Sequence, residues 1–316
     1  MQPSLQPPFW RQRCERLNRL IYLILLLLAQ SASAFELDEL APGLYLHSGA
    51  IADIDSPLRE DSANIGFIVG ERCVAVVDTG GSSRTGRALL AAIRAQTPLP
   101  VCYVINTHVH FDHLLGNGVF RATGAQFVGH AQLSSAIADS RDFFLERFAG
   151  EVADLPLSDR IVAPDVPVTD QLELDLGGRV LTVRAVQTAH THTDLTVYDA
   201  ASDTLWTGDL LFRERMPILN GSLKGWMRWL EEAEQHNYRL VIPGHGPPDR
   251  VWPEGARAER EYFQTLIAET RAALAKGLFL EDAQGAVAEG EKGKWQLSDR
   301  AHGLNVSRTY RELEWE

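Results

Sequence analysis

Apolar residues in the first half of the chain fall into short runs separated by turn residues, and these runs predict strands at 44–47, 64–69 and 73–78. The third run ends in Asp78-Thr79-Gly80-Gly81, where glycine permits a tight bend. Residues 83–96 (SRTGRALLAAIRAQ) switch to helical spacing, Pro98 and Pro100 close that helix, and 101–106 returns to a strand. Residues 73–106 therefore read as strand, helix, strand, and ligands gather at the carboxyl ends of strands in such units. The second half repeats the rhythm, with strands at 179–187, 195–198 and 205–207, an amphipathic helix over 221–236 and a strand at 240–242. That last strand runs into Pro243-Gly244-His245-Gly246. Beyond Glu254 a charged helix continues to about Lys276 and gives way to a less regular tail, so 254–316 forms a C-terminal helical extension. No short-period repeat is present. Two halves built alike predict an α/β (α+β) fold, a four-layer αββα sandwich.

The N-terminus follows a different logic. Arg11, Arg13, Arg16 and Arg19 precede a ten-residue apolar run at 20–29 (LIYLILLLLA), and Ala32-Ser33-Ala34 supplies small residues for cleavage. A bilayer span needs about 20 apolar residues, so 1–34 reads as a signal peptide cleaved after Ala34. Gln12 splits Arg11 from Arg13, which favours the general secretory route over the twin-arginine one. The expected destination is periplasmic or secreted, with 35–316 a single domain whose core spans about 40–248. Removing four arginines and Glu15 takes the formal charge from −12 to −15, which argues against nucleic acid or an anionic membrane as partner. Cys73 and Cys102 each sit near the start of an apolar run. An oxidising compartment permits a bridge between them, but neighbouring parallel strands make its geometry awkward, so two unpaired core cysteines are expected.

The strongest chemical signal is Thr107-His108-Val109-His110-Phe111-Asp112-His113. Zinc prefers imidazole nitrogens and carboxylate oxygens. In an extended segment positions i and i+2 share a side, so His108 and His110 can serve one ion while Asp112 and His113, past the turn, face another. Turn chemistry by itself asks for no such set of imidazoles. Further candidates follow at the ends of β runs: His190 in Thr188-Ala189-His190-Thr191-His192, Asp209 in Trp206-Thr207-Gly208-Asp209, and His245 in the Gly-His-Gly turn.

In that order, these motifs resemble the metallo-β-lactamase superfamily over about residues 40–248. The resemblance implies that His108, His110 and His190 bind one metal, that Asp112, His113 and His245 bind a second, and that Asp209 bridges them. It also implies that Asp78 braces the site from behind, and that two Zn2+ are the cofactors, with iron or a mixed pair left open. True β-lactamases of the superfamily generally carry cysteine or serine at the bridging position, so Asp209 points to the glyoxalase-II and related hydrolase branch. The chain further resembles the quinoprotein relay-system zinc metallohydrolases, relatives of the SoxH-type proteins, at 35–49 (FELDELAPGLYLHSG) and 213–231 (RERMPILNGSLKGWMRWLE). That resemblance implies a link to a PQQ-dependent dehydrogenase, alcohol oxidation and a cytochrome.

The implied activity is hydrolysis of a small-molecule ester, thioester or lactone by a metal-bridging hydroxide, with Asp112 both ligand and orienter of the nucleophile. No Gly-x-Ser-x-Gly elbow points to a serine hydrolase. A mononuclear-iron persulfide dioxygenase and a non-catalytic accessory protein of a quinoprotein system are the competing readings. Arg213, Arg215, Asn220 and Lys224 follow the Asp209 strand, where related folds place a substrate loop, and they would suit an anionic group. His192 is a candidate for the pocket wall. His47, His130 and His236 read as structural, Trp226 and Trp229 as core, and His302 has no assigned role.

Overall fold

The computed structural model describes residues 35–316, so the expected signal peptide at 1–34 lies outside the described residues. Two β-sheets face each other. The first pairs β1 (Asp38–Ala41), β2 (Leu44–His47), β3 (Ile65–Val69), β4 (Val74–Val77), β5 (Val101–Ile105), β6 (Gln126–His130) and β7 (Val166–Val168) in sequence order. Its β1–β4 pairings are antiparallel and its β4–β7 pairings parallel. The second runs in the order β12 (Leu240–His245), β11 (Thr204–Phe212), β10 (Leu195–Asp199), β9 (Val180–Ala185) and β8 (Gln171–Asp175), antiparallel except for the β11–β12 pair.

Strand periodicity explains the packing. In β9, Leu181 and Val183 are buried while Val180 and Arg184 are exposed, as a strand with one covered face requires. Leu44, Leu46, Ile68, Ala75, Val77 and Ile105 from the first sheet meet Leu181, Val183, Leu195, Val197, Trp206 and Ile242 from the second in one apolar layer. Strands β4 and β11 are buried at every residue because helices cover their outer faces too. The helix Leu223–Ala233 buries Leu223, Trp226, Trp229, Leu230 and Ala233, a stripe at successive spacings of three, three, one and three. Ser222 caps it by accepting from Gly225 N at 3.0 Å. Phe263 and Leu266 of the helix Arg257–Ala275 complete that outer cluster. The result is the expected four-layer αββα metallo-β-lactamase sandwich, with two mixed sheets flanked by helices.

Three expectations are corrected. Cys73 and Cys102 form a disulfide with a Cα–Cα distance of 5.8 Å. Strands β4 and β5 are indeed parallel neighbours, but Val74 pairs with Val101 and Ala75 with Tyr103, leaving Cys102 as an extra residue. A bulged residue is re-aimed out of the regular pleat, which brings its sulfur to Cys73. Strand β11 does not stop at Thr207 but continues through Gly208 and Asp209 to Phe212, with register shifts against β12 on either side of Gly208. The tail is more regular than its composition suggests: Ser298–Leu313 is a helix. Its buried residues are Ala301, His302, Asn305, Val306, Thr309 and Leu313, so polar groups on the inner face mask the apolar period.

Candidate metal centre

The site is assembled at the carboxyl ends of strands from both sheets. Strand β5 delivers Asn106, Thr107 and His108, and the chain then turns so that Asp112 and His113 lie in the short helix Phe111–Leu114. His190 comes from the loop between β9 and β10, Asp209 from within β11, and His245 from the end of β12. Gly208 has φ +51°, a left-handed conformation that suits glycine, and this irregularity re-aims Asp209 into the cleft. Gly244 must remain glycine for the same carboxylate, because a Cβ there would overlap Asp209 Oδ1.

All seven side chains expected as ligands meet in two groups. His108, His110, His190 and Asp209 form one and Asp112, His113 and His245 the other, with the donor atoms of each group within 4.8 Å of one another. Asp209 stands between the groups. Its Oδ2 lies 3.6 Å from His108 Nε2, 3.4 Å from His190 Nε2 and 3.3 Å from His245 Nε2, and its Oδ1 lies 3.1 Å from His113 Nε2.

The back side of each imidazole is engaged by the protein. Thr107 Oγ1 donates to Asp78 Oδ2 at 2.7 Å, so its lone pair accepts from His108 Nδ1 at 3.0 Å. His113 Nδ1 donates to Asp78 Oδ2 at 2.7 Å, His190 Nδ1 to the Ile218 carbonyl at 2.7 Å, and His245 Nδ1 to the Ser62 carbonyl at 2.8 Å. Each of these rings thus points its Nε2 inward, which is how outer partners aim a histidine at a metal. His110 is the exception: its Nε2 faces Asn220 Nδ2 at 2.9 Å and its Nδ1 looks inward, 3.0 Å from His190 Nε2. His108 Nε2, His113 Nε2 and Asp209 Oδ1 are fully buried with no hydrogen-bond partner. Buried polar atoms without partners are costly, and a cation bound by this donor set satisfies all three, so the residues fit a metal pair.

The electrostatics follow from that crowding. Burial opposes charge on Asp209, but His245, His113 and His108 hold its carboxyl well below the usual carboxylate range. Burial likewise works against the Asp112 carboxylate, and His113 and His245 outweigh it and bring the carboxyl down. Burial and the neighbouring imidazoles His113, His110 and His190 drive His108 well below the ordinary histidine value. Burial, against the pull of Asp209, takes His190 down to about 3. His113 moves the other way: burial disfavours its cation, but Asp209 and Asp78 overcome that and raise it well above the ordinary value.

Asp78 lies behind Thr107 and His113. It adopts φ +56° and accepts from Thr107 N at 2.8 Å as well as from Thr107 Oγ1 and His113 Nδ1. The expected substrate residues divide. Asn220 reaches His110, as above. Arg213 instead donates to the carbonyls of Pro247 and Pro248 at 3.0 and 2.7 Å, and Lys224 pairs with Glu316 at 3.1 Å, so neither faces the donors. His192 is exposed and lines a separate groove of about 590 Å3 with His130, Gln132 and Arg228. His302 is buried in the extension, donating to the Val287 carbonyl at 2.9 Å, and does not reach over the cleft. Trp226 is core, with its Nε1 bonded to the Leu210 carbonyl and its ring edge-on to His190.

Arg215 is the cation that lies against a donor imidazole. It is only 6 % exposed, and its Nη1 lies 3.0 Å from His245 Nδ1, a nitrogen already donating to Ser62. Among the described residues no carboxylate lies within ion-pair distance of its guanidinium. Ser62 has no signature in the sequence. Its hydroxyl donates to Asp112 Oδ2 at 2.7 Å and its carbonyl holds His245, yet it lies far from every motif along the chain. Thr107 was legible only as a neighbour of His108.

The metallo-beta-lactamase superfamily model matches residues 58–245. The chain belongs to that superfamily. With its two metal-suited side-chain groups, it is a metallo-beta-lactamase-superfamily hydrolase. Among solved structures, a metallo-beta-lactamase from Pontibacter korlensis superposes with a TM-score of 0.59 at 18% identity, covering 72% of this chain and 98% of that one. The stereoselective inverting sec-alkylsulfatase Pisa1 from Pseudomonas sp. gives 0.66 at 18% identity, over 89% of this chain and 50% of the sulfatase. At such identities the likeness is one of superfamily fold. The family match stops before the helices of the C-terminal extension.

Proposed function

We propose that this superfamily member is an exported dinuclear zinc hydrolase that cleaves an ester, thioester or lactone bearing an anionic group. The observation that carries the reading is the pair of donor groups joined by Asp209, with the imidazoles held from behind and their free nitrogens turned inward. His108, His110 and His190 would hold one ion, Asp112, His113 and His245 the other, and Asp209 both. Zinc bound there supplies Lewis-acid polarisation of a carbonyl and hydroxide at neutral pH. The completeness of the second group favours two metals over a single iron.

The protein's own groups have distinct tasks in this scheme. Ser62 donates to Asp112 Oδ2 and so fixes the orientation of the carboxylate that would hold the second ion and orient the attacking water. Arg215, buried and without a carboxylate partner, receives the anionic group of the substrate. Asn220 steadies His110 on the exposed side of the cleft. The disulfide between Cys73 and Cys102 suits an oxidising compartment, which supports the export reading. The link to PQQ-dependent alcohol oxidation rests on the resemblance at 35–49 and 213–231, and the second stretch forms the loop that packs behind the donors.

A screen of zinc-loaded protein against matched esters, thioesters and lactones, with and without a carboxylate, tests the proposal. Turnover that favours the carboxylate-bearing members is expected. In Arg215→Gln, KM for an anionic ester should rise about 10–100-fold while a neutral ester is little changed, since a charge-assisted bond contributes about 1.5–3 kcal/mol. No turnover of any member by protein carrying two zincs would overturn the hydrolytic assignment to these substrates.

A further inference from the structure

The segment behind the donor residues takes its shape from the far end of the chain. Glu259 accepts from Phe212 N at 3.0 Å, and Gln296 exchanges backbone bonds with Glu214 and Met216. Glu312 accepts from Ser222 Oγ at 2.5 Å and Leu223 N at 2.7 Å. The tether that comes nearest a donor imidazole is Asn305, fully buried on the helix Ser298–Leu313. Its Oδ1 accepts from Leu219 N at 2.8 Å, and its Nδ2 donates to the Pro217 carbonyl at 2.7 Å and to the Tyr262 hydroxyl at 3.1 Å. Between those two clamped residues lies Ile218, whose carbonyl accepts from His190 Nδ1 at 2.7 Å.

We propose that Asn305 is a positioning residue for the first donor group, aiming the Ile218 carbonyl at His190 and so fixing both the tautomer and the direction of its Nε2. The inference rests on the dinuclear reading above. A neutral imidazole carries its proton on either nitrogen, and a carbonyl aimed at Nδ1 selects one form. Only an amide suits position 305, because one edge must accept from Leu219 N while the other donates to the Pro217 carbonyl. The same clamp fixes the approach to Asn220, which touches His110, the second ring of that group. The other group is independent of it: His113 is held by Asp78 and His245 by Ser62. Asn305 lies outside the stretch that matches the superfamily, so the extension completes the site rather than merely lengthening the chain.

The test uses the full chain with Asn305→Leu, which removes all three side-chain bonds at similar volume, and Val306→Ala, a buried neighbour on the same helix that makes no side-chain hydrogen bond. Asn305→Asp, which keeps the acceptor and loses the donor, serves if the leucine variant folds poorly. Histidine 15N spectra of metal-free protein read the tautomers directly, and titration against a chromophoric chelator reads affinity for zinc. In the Asn305 variants His190 should lose its uniform Nδ1–H form while the 15N signals of His113 stay unchanged. One of the two zinc equivalents should weaken by about 10–100-fold, the usual cost of losing a partner behind a ligand. Val306→Ala should lower thermal stability alone. Retention of the His190 tautomer in the Asn305 variants, or the same loss in Val306→Ala, would overturn the proposal. Because the tautomer is read without metal, a wild-type chain that binds a single ion refutes the dinuclear reading and still leaves the role of Asn305 decided by the spectra.

Discussion

At the scale of single residues, the site depends on which nitrogen each histidine presents, and that choice belongs to neighbours several strands away. Asp78 serves Thr107 and His113 together, one carboxylate bracing both donor groups. Asp78→Asn puts a donor where an acceptor is needed and should weaken zinc binding about 10–100-fold, measured by chelator competition, with the fold retained by circular dichroism. Asp194 offers a different check. It accepts from Thr191 N and Thr191 Oγ1 in the turn that carries His190, and burial pushes its carboxyl up to about 7. A carboxyl raised in the folded state stabilises the fold in its protonated form. That contribution is whole below the unfolded value of about 4 and is lost as pH rises through about 7. Thermal unfolding of metal-free protein should therefore show stability falling over that window, and Asp194→Asn should flatten this component of the slope.

At the scale of elements, strand β11 and the bulge in β5 do the positioning that regular pleating cannot. The helix Ser83–Gln96 and strands β2, β3, β4, β5, β9 and β10 were legible because their apolar residues recur at the period of the element. The donor set was legible because its members sit in short motifs at strand ends. What stayed hidden was hidden for physical reasons. Gly208 and Asp209 look like a turn, yet a glycine bulge lets a strand run through them. Cys102 pairs with Cys73 because of a register shift that no local pattern announces. The helix Ser298–Leu313 buries His302, Asn305 and Thr309, so its inner face is polar and its period faint. Ser62 and Asn305 act across the fold, and contacts of that range leave no trace in spacing. The disulfide closes a separation of 29 residues, which the chain-entropy model values at about 3–4 kcal/mol. Cys102→Ala should lower stability to chemical denaturation by about that amount and leave the zinc stoichiometry unchanged.

For the molecule as a whole, the two sheets bring together donors that the sequence spreads from position 108 to position 245, and the C-terminal extension locks the loop that holds them. The full chain is formally −12, yet a buried cation, Arg215, lies against the donor imidazole of His245. The two donor groups call for two metal ions per chain. Elemental analysis of the purified chain, beside His110→Ala and Asp209→Ala, tests it most directly. Two zinc ions per chain are expected, one for each donor group, with a sharp fall in both variants. One iron per chain, no stoichiometric metal, or two zincs retained in Asp209→Ala would contradict it.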